Sequence, residues 1–525
     1  MPDVTLTQTT PRPIAGRPGA TSPSGLRLAA ATSGVLAGAV AVAVGHLLAV
    51  LIAPAASPLL AVGSTLIDLA PQPLKAFAIS TFGESDKIAL LAGVGATLLI
   101  LAAGIGLIAR ERPRVGALAV GAFGLVGATA ALLRPTSTPV AIVPSIVGAV
   151  AGILVLLALR RLIVVSAAAL EVDRARRGFL LGAGAATLLA ATSGGLGILL
   201  SKARTSSVGQ FVLPMPMDPA PALPAGADLG IDEISSFYTP NADFYRVDTA
   251  LDVPAVDAST WSLRIHGMVD REVTLTLDEL LQLPTIERDI TLSCVSNQVG
   301  GPYVGNARWI GIPLATVLEL AGVQPGADQI VSRSIDGMTI GTPTAVALDG
   351  RDAMLAVGMN GEPLPAVNGY PVRMLVPGLY GYVSATKWLV ELELTTFSAY
   401  DPYWVERGWA KEAPVKTMSR IDAPRPLATI PAGNVTVGGV AWAQHRGIEG
   451  VEVRIDEGDW KAARLSTLDS IDTWRQWTFD WTATAGRHRL EVRATDADGA
   501  TQPEERMEPF PNGATGWHAV VVTVA

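Results

Sequence analysis

The sequence is poor in cysteine, histidine and charge. Its 525 residues include one cysteine, Cys294, so an intramolecular disulfide is excluded. Only 16% of the residues are charged and the net charge is −8 without a basic stripe, which argues against a nucleic-acid partner. The five histidines are scattered along the chain: His46, His266, His445, His488 and His518. Their spacing matches no histidine-based zinc or iron motif, so we expect no such site.

Charge is scarcest before Arg204, where long apolar runs take its place. We expect residues 1–25, rich in Pro, Thr, Ser and Gly, to form a disordered cytoplasmic tail. Residues 26–200 predict about five transmembrane helices, because each apolar run has the roughly twenty residues needed to cross a ~30 Å hydrocarbon core. The runs are Leu26–Ile52, Ile88–Ala109, Val115–Leu133, Val140–Leu159 and Gly178–Leu200. Residues 53–86 are interpreted as an interfacial or re-entrant loop, with a sixth span as the alternative.

Arginines predict the orientation of these helices. Arg27 precedes the first span, Arg112 joins the second to the third, and Arg161 joins the fourth to the fifth. Positive residues favour the cytoplasmic side, so the N-terminus is predicted inside and everything after Leu200 outside the cytoplasm. The expected location is the cell membrane, with multiple passes and an extracytoplasmic domain. His46 is the only histidine in a predicted span, so the paired ligands of a bis-histidine haem are missing there, and helix packing is its simpler role.

The segment Arg176–Leu180 reads Arg-Arg-Gly-Phe-Leu and is similar to a twin-arginine export signal. The alternative is that two arginines merely flank a transmembrane helix. The export interpretation is favoured if the domain beyond Leu200 folds around a cofactor in the cytoplasm, because that route carries folded proteins.

The residues after Leu200 have the patterns of a water-soluble protein. Residues 201–233 are rich in proline and predict an extended linker. Residues 234–400 mix short β-type runs, such as Trp261–Ile265, with helical stretches such as Leu314–Leu320, which indicates an α+β domain. Residues 401–525 consist mostly of short β-type runs with turn signals between them, which predicts a β-sandwich. The fold class is therefore multi-domain: a transmembrane helix bundle, an α+β domain and a β-sandwich.

Cys294 ends a β-type run and is followed by Ser296, Asn297 and the pair Gly300-Gly301. A lone cysteine at such a place is most often a small buried apolar residue. The residues after it, however, turn the chain and offer polar groups to a ligand. A thiolate is the soft ligand that a redox metal selects, so metal binding is the competing interpretation.

The stretch from Ser236 to Thr396 resembles the molybdopterin domain of the sulfite-oxidase superfamily. The run Thr291–Gly301, T-L-S-C-V-S-N-Q-V-G-G, is similar to the metal-cysteine segment of that family. Further stretches that resemble its motifs are Asn241–Arg246, Met359–Pro365, Asn368–Arg373, Val376–Gly378 and Gly381–Trp388. The terminal sandwich resembles the Ig-like dimerisation domain of the same family, notably at Gly439–Trp442, Gly450–Ile455 and Arg493–Asp496.

The resemblance implies a molybdenum–molybdopterin cofactor and gives residues roles toward it. Cys294 would be the catalytic residue and the molybdenum ligand. Arg373 and Lys387 would hold pterin and phosphate, since arginine suits bidentate phosphate contacts and lysine is a point charge. Without the resemblance, a surface ion pair is an equal alternative for both. The other cofactor-binding residues would be Asn241, Phe244, Tyr245, Asn368, Ser384 and Thr386.

The sequence departs from the sulfite oxidases at positions that bear on the substrate. Pro240-Asn241 stands where that family has an Arg-Asn pair, Val357 where it has a tyrosine, and Asn368 where it has a histidine. Arg246 and Arg308 are candidates for replacing the missing cation. The resemblance therefore implies two-electron oxygen-atom transfer on a small molecule, with a neutral sulfoxide or N-oxide favoured over sulfite.

The expected partners are the lipid bilayer, a small-molecule substrate, a separate quinone-linked or haem protein that exchanges electrons, and a second copy of the chain through the C-terminal domain. The alternative function is a non-catalytic membrane protein that displays an Ig-like interaction module. A membrane transporter or sensor with an exported accessory domain is a further alternative. Both alternatives predict no bound metal and no dependence on Cys294.

Overall fold

The computed structural model describes residues 23–71, 74, 77–78, 81–82, 85–135, 137–168, 172–206 and 211–525. The chain divides into two compact units, one of Met1–Ala70 with Ser85–Ser201 and the other of Pro71–Glu84 with Lys202–Ala525. The predicted tail lies outside the described residues as far as position 22, and the first helix already begins at Pro23. The side chain of Arg176, in the segment similar to an export signal, also lies outside the described part.

The first unit is helical. Its helices are α1 Pro23–Ile52, α2 Pro58–Leu69, α3 Asp86–Glu111, α4 Pro113–Leu132, α5 Val143–Ala168 and α6 Val172–Ser206. Five helices in the described part are long and apolar enough to cross a membrane: α1, α3, α4, α5 and α6. The ambiguous stretch after Ile52 contains the shorter apolar helix α2 and the 3-10 turn Pro54–Ala56. Proline stands at the start of α2 and α4, where its missing N–H costs no helical hydrogen bond.

Glycines set how closely these helices pack. A Cβ added at Gly34 of α1 would lie 2.0 Å from the Ala102 oxygen of α3, and one added at Gly148 of α5 would lie 2.3 Å from the Ala41 oxygen of α1. The backbones therefore touch directly, as small residues allow between apolar helices. Substitution at either position would push two helices apart.

The second unit begins with an α+β region. Its strands are β1 Ser262–Gly267, β2 Val273–Thr276, β3 Ile286–Ser293, β4 Val304–Pro313, β5 Gln329–Ser334, β6 Thr339–Pro343, β7 Met354–Met359, β8 Glu362–Pro363, β9 Arg373–Leu375 and β10 Leu389–Thr395. Its short helices are α7 Leu277–Leu281, α8 Leu314–Ala321, α9 Thr344–Ala347 and α10 Gly381–Ser384, with 3-10 turns at Ala366–Asn368 and Val405–Arg407. The predicted helix at Leu314–Leu320 is confirmed.

These strands form two five-stranded sheets. One has the order β2-β1-β10-β5-β6, and the other joins β3, β4, β7 and β8 with β9 paired to β7. In the first sheet β1 pairs in parallel with β10, although the two strands are far apart in the sequence. The second sheet is antiparallel, and its β3–β4 pair ends at Ser293 and Val304, beside Cys294. The fold thus places the cysteine segment near strand β9 and near helix α10, which follows β9 in the sequence.

The C-terminal region is rich in β-structure. Its strands are β11 Met418–Ala423, β12 Thr429–Ile430, β13 Gly433–Trp442, β14 Ile448–Ile455, β15 Lys461–Ala462, β16 Arg464–Leu465, β17 Arg475–Ala483, β18 Gly486–Asp496 and β19 His518–Val524. They form a four-stranded sheet, β11-β13-β17-β16, and a five-stranded sheet, β12-β19-β18-β14-β15. Buried Val437 and Trp477 of the first sheet share one apolar core with Val492 and Val522 of the second. The alternating runs predicted at 451–455, 477–481 and 489–493 all lie within these strands.

Candidate active site

Cys294 is the first residue after β3, in a tight loop that leads into β4. Its backbone N–H donates to the Tyr303 oxygen over 3.0 Å, and its carbonyl accepts from the Asn297 N–H over 3.0 Å. The Asn297 side-chain oxygen accepts from the Tyr303 N–H at 2.9 Å. A Cβ at Gly301 would lie 2.5 Å from that oxygen, so a larger residue there would displace the Asn297 side chain. The loop is therefore held in one shape by its own polar groups.

A cavity of about 100 Å³ lies next to the Cys294 thiol. Of the predicted site residues, it is lined by Phe244, Tyr245, Cys294, Arg373, Thr386 and Lys387. These residues come from a loop before β1, from the end of β3, from β9 and from the stretch after α10. The fold thus brings together segments that are far apart in the sequence.

The remaining predicted residues, Asn241, Asn368 and Ser384, do not line the cavity. Asn241 donates to the Met359 carbonyl at 3.2 Å and accepts from the side chain of Asn360 at 2.9 Å. The Ser384 hydroxyl hydrogen-bonds the carbonyls of Leu379 and Tyr380, both at 3.1 Å. Asn368 is 1% exposed, and its side-chain oxygen has no hydrogen-bond partner among the described residues.

Arg373 is a buried cation that no carboxylate neutralises. It is 4% exposed, and no salt bridge to it is found in the described part of the chain. Its guanidinium donates to the Asn368 carbonyl at 3.1 Å and to the Ala385 carbonyl at 3.4 Å, while Nε has no partner there. The guanidinium carbon also lies 5.3 Å from the Trp309 ring centre. Burial lowers the pKa of Arg373 to about 10, so the side chain remains charged at neutral pH.

Lys387 is largely but not fully buried, with a side chain 10% exposed, and it has an acidic partner. Its Nζ lies 3.0 Å from an oxygen of Asp248 and donates to the Val367 carbonyl at 3.0 Å. Burial lowers the pKa of Lys387 to about 8, against the opposing effect of Asp248. Asp248 also binds Arg246 at 2.9 Å. Arg373 and Lys387 are therefore not a surface ion pair, and Arg373 is the cation of the cavity wall that no described carboxylate pairs with.

The thiol of Cys294 is buried beside these cations. Burial raises its pKa, while the Ser296 N–H, which donates to Sγ at 3.4 Å, and the charge of Lys387 act in the opposite direction. Burial also raises the pKa of Tyr245, whose ring stacks on Phe244 with centres 5.3 Å apart. A cation bound at Sγ would favour the thiolate strongly, as it does at metal sites.

Several cavity residues were not predicted from the sequence. Asp248 follows the Asn241–Arg246 motif by two residues, so its acidic side chain there was an available signal. Ser334, Tyr382 and Trp404 also line the cavity. They belong to β5, α10 and the segment after β10, and no local pattern marks them as site residues.

The two arginines considered as substrate cations lie elsewhere. Arg308 forms two hydrogen bonds to Asp289, at 2.8 and 2.6 Å, and also binds the Pro221 carbonyl. Arg246 is bound to Asp248 and is not among the residues that line the cavity. The expectation that either replaces the missing cation is therefore not met by this geometry.

A separate group of possible metal ligands lies on β1 and β10. The ligand atoms of His266, Glu391 and Glu393 lie within 4.8 Å of one another. Glu391 is already bound by Arg333 at 3.0 Å and lies 3.3 Å from His266. This histidine-containing group was not expected from sequence spacing, because parallel pairing of distant strands creates it.

Comparison with known proteins gives consistent results. Residues 250–404 match the family described as "Oxidoreductase molybdopterin binding domain". Sulfite oxidase of Gallus gallus is 32% identical over 337 residues, which covers 54% of this chain and 72% of that protein. Mitochondrial sulfite oxidase of Macaca fascicularis is 30% identical over 345 residues, which covers 55% of this chain and 62% of that protein. The chain thus spans less than two thirds of the length of the mitochondrial relative.

Among solved structures, the sulfane dehydrogenase SoxCD from Paracoccus pantotrophus aligns with a TM-score of 0.49 and 20% sequence identity. The alignment covers 61% of this chain and 91% of that one.

Proposed function

Because the chain belongs to the sulfite oxidase family, we propose that it is a molybdenum–molybdopterin oxidoreductase that transfers an oxygen atom to or from a small substrate. The observation that carries this proposal is one cavity lined by the buried thiol of Cys294, the buried cation of Arg373 and the largely buried cation of Lys387. When bound, the cofactor supplies the two-electron chemistry, and the protein supplies binding, orientation and electrostatics.

The residues around the cavity fit such a cofactor. A buried guanidinium without a carboxylate is costly unless an anion binds it, and the cofactor's phosphate is that anion. Arg373 Nε and the Ser334 hydroxyl, both from residues that line the cavity, are buried without partners in the described structure, which leaves polar groups for a pterin ring. Phe244 and Tyr245 add an aromatic wall. Cys294 would be the only protein thiolate on the metal.

We further propose a neutral oxide, such as a sulfoxide or an N-oxide, as the substrate. Sulfite is a dianion and would need cations beyond those that hold the phosphate. Arg246 and Arg308 are each bound to a carboxylate, so neither supplies a free charge. Sulfite is the second candidate, because the relatives reported above are named sulfite oxidases. Reduction of dimethyl sulfoxide and trimethylamine N-oxide, compared with oxidation of sulfite by the same preparation, separates the two.

The helical unit is proposed to anchor the enzyme in the cell membrane, with the N-terminus in the cytoplasm and the catalytic unit outside. The support is the apolar length of five helices together with the arginine bias of the sequence. A separate quinone-linked or haem protein would exchange the electrons. The C-terminal sheets would form an Ig-like domain that pairs two copies of the chain.

The cofactor proposal is tested by metal analysis of the purified full-length protein. We expect about one molybdenum per chain after expression with molybdate. Cys294→Ser should lower the activity by a factor of more than roughly 100, which exceeds the effect typical of groups that only support a metal ligand. Serine is close in shape to cysteine but smaller and more polar, so the variant should fold with only a modest loss of stability, which denaturant unfolding checks. Wild-type protein free of molybdenum, or full activity in Cys294→Ser, would contradict the proposal.

A further inference from the structure

A second cavity lies inside the helical unit and is much larger than the first. Its volume is about 390 Å³, within the roughly 300–1,000 Å³ of small-molecule sites. It is lined by α1, α2, α3, α4 and α5 and opens to the outer surface of the bundle, and every residue that lines it belongs to this unit. We propose that it binds one isoprenoid quinone, and that a carbonyl oxygen of the quinone accepts a hydrogen bond from the Ser145 hydroxyl.

The cavity exists because α1 and α3 touch at one end and separate toward the other. Gly34 and Gly106 are in backbone contact, where a Cβ at Gly106 would meet the Ala30 oxygen at 2.1 Å. At Gly38 an added Cβ would still lie 3.2 Å from Ala102. At Gly95, nearer the start of α3, it would meet nothing within 4 Å. The gap is therefore built by the helix geometry.

The lining decides which molecules can enter. Among its described residues only Ser145 carries a side-chain heteroatom, and the others are glycine, alanine, proline, phenylalanine and branched aliphatic residues. Water needs two to four polar partners to be stable in a cavity, so water is disfavoured here. An ionic or zwitterionic headgroup is excluded, since no charged side chain lines the space in the described part. An uncharged, mainly apolar molecule is complementary to it.

Ser145 indicates that the occupant also carries a hydrogen-bonding oxygen. It is 3% exposed, and its hydroxyl has no hydrogen-bond partner within the described structure. Other hydroxyls of the same bundle are satisfied locally: Thr97 donates to the Gly93 carbonyl at 2.9 Å and Ser33 to the Ala29 carbonyl at 2.8 Å. Gly127 lies beside the Ser145 hydroxyl, and any larger residue there would cover it, because its Cβ would lie 2.8 Å from the Ser145 oxygen.

An acyl chain of a phospholipid would fill the apolar volume and leave the Ser145 hydroxyl unpaired. A quinone satisfies both features, because its ring and isoprenoid tail are uncharged and its carbonyl oxygen is an acceptor. This assignment rests on the proposed membrane location of the unit. It does not depend on the chemistry at Cys294, since both the hydroxyl and the apolar walls belong to the helical unit.

The test is binding of decylubiquinone to the full-length protein in phosphatidylcholine nanodiscs, with native mass spectrometry to identify the bound molecule. Ser145→Ala should weaken binding roughly 2- to 10-fold, the usual effect of one neutral hydrogen bond. It should leave the stability of quinone-free protein unchanged or slightly higher, because the hydroxyl it removes is unpaired. Gly95→Leu should weaken binding about tenfold or more by filling the cavity.

Gly93→Leu is the matched control. It places the same side chain on the same helix, at an exposed glycine that does not line the cavity, and it should bind decylubiquinone as the wild type does. Equal binding in Gly93→Leu and Gly95→Leu, or phospholipid as the only bound molecule, would overturn the proposal. Cys294→Ser should bind quinone normally. If wild-type protein bound quinone but held no molybdenum, the proposed function would be wrong and this inference would stand. If it held molybdenum and was active but bound no quinone, this inference would be wrong and the proposed function would stand.

Discussion

Two arginines show how burial without a partner marks a binding residue. Arg373 is buried and no salt bridge to it occurs in the described chain, whereas Arg308 is held by two short hydrogen bonds to Asp289. In cofactor-free protein the Arg373 charge costs stability that a bound phosphate would return. We therefore expect Arg373→Met to leave the cofactor-free protein as stable as before or stabilise it by up to roughly 3 kcal/mol.

The same substitution should reduce the pterin that copurifies with the protein by more than about tenfold, as loss of a supporting contact does at metal sites. Denaturant unfolding and fluorescence of the released pterin measure the two effects. Arg308→Met is the control and should destabilise the protein by roughly 1–3 kcal/mol while lowering pterin content less. If Arg373→Met instead destabilised the cofactor-free protein, the Arg373 guanidinium would have a structural role and not the proposed role in binding phosphate.

Lys387 makes a prediction about pH. Its pKa of about 8 in the folded protein lies below the 10.5 of a free lysine. Between these pH values the unfolded chain binds more protons than the folded one, so the free energy of unfolding of cofactor-free protein rises with pH across this window. Below pH 8 the cost of burying the charge is fully present.

Unfolding of cofactor-free wild type and Lys387→Met at pH 7 and pH 9.5 tests this sign. We expect the wild type to gain stability relative to Lys387→Met as the pH is raised. Lys461→Met, at an exposed position on β15, is the control and should show no such relative change. Parallel pH profiles for Lys387→Met and wild type would show that Lys387 does not lose its proton in this window.

At the scale of elements, the C-terminal sheets hold the cysteine loop in place. Arg420 of β11 donates to the Gly301 carbonyl at 2.8 Å, and the Ile421 N–H donates to the ring of His518 at the start of β19 at 2.9 Å. Gly300 has a φ of +78°, and a Cβ there would lie 2.2 Å from the His518 ring. The loop that carries Cys294 thus packs tightly on β11 and β19, and a side chain at Gly300 would overlap the His518 ring.

We therefore expect Gly300→Ala to destabilise the protein by roughly 2–4 kcal/mol, the sum of a positive-φ penalty and overpacking. It should also lower molybdenum content, because the loop must move. Gly350→Ala is the matched control: φ is +96° there but nothing lies within 4 Å, so only a penalty of about 1 kcal/mol remains. Addition of His518→Ala should recover part of the Gly300→Ala loss, and strict additivity of the two changes would contradict the packing argument.

The same elements show what the sequence could predict. Periodicity located the helix at Leu314 and the strands at 451–455 and 489–493, because local patterns of burial repeat along each element. It could not predict that β1 pairs with β10, since such pairing depends on packing between distant segments. For that reason Ser334 and Trp404 were missed as cavity residues, while Asn241 was expected to line the pocket and instead hydrogen-bonds Met359 and Asn360.

For the whole molecule, the arginine bias makes a prediction about topology that the single cysteine renders easy to test. Cys294 is 9% exposed and is the only thiol of the chain, so an introduced cysteine can be labelled against a low background. Glu111, the last residue of α3, is exposed and lies next to the basic residues predicted to face the cytoplasm. Thr138, before α5, and Asp498, in the turn after β18, are exposed and are predicted to lie outside.

In intact cells a membrane-impermeant maleimide should label Thr138→Cys and Asp498→Cys but not Glu111→Cys, and permeabilised cells should label all of them. None of these changes removes a positive residue, so the charge bias that sets the orientation is preserved. The wild type is the control for labelling of Cys294. If intact cells labelled Glu111→Cys but not Asp498→Cys, the topology would be the inverse of the predicted one. Protection of Asp498→Cys with labelling of Thr138→Cys would keep the predicted orientation as far as Thr138 but place the catalytic unit in the cytoplasm, so that only one of α5 and α6 would cross the membrane.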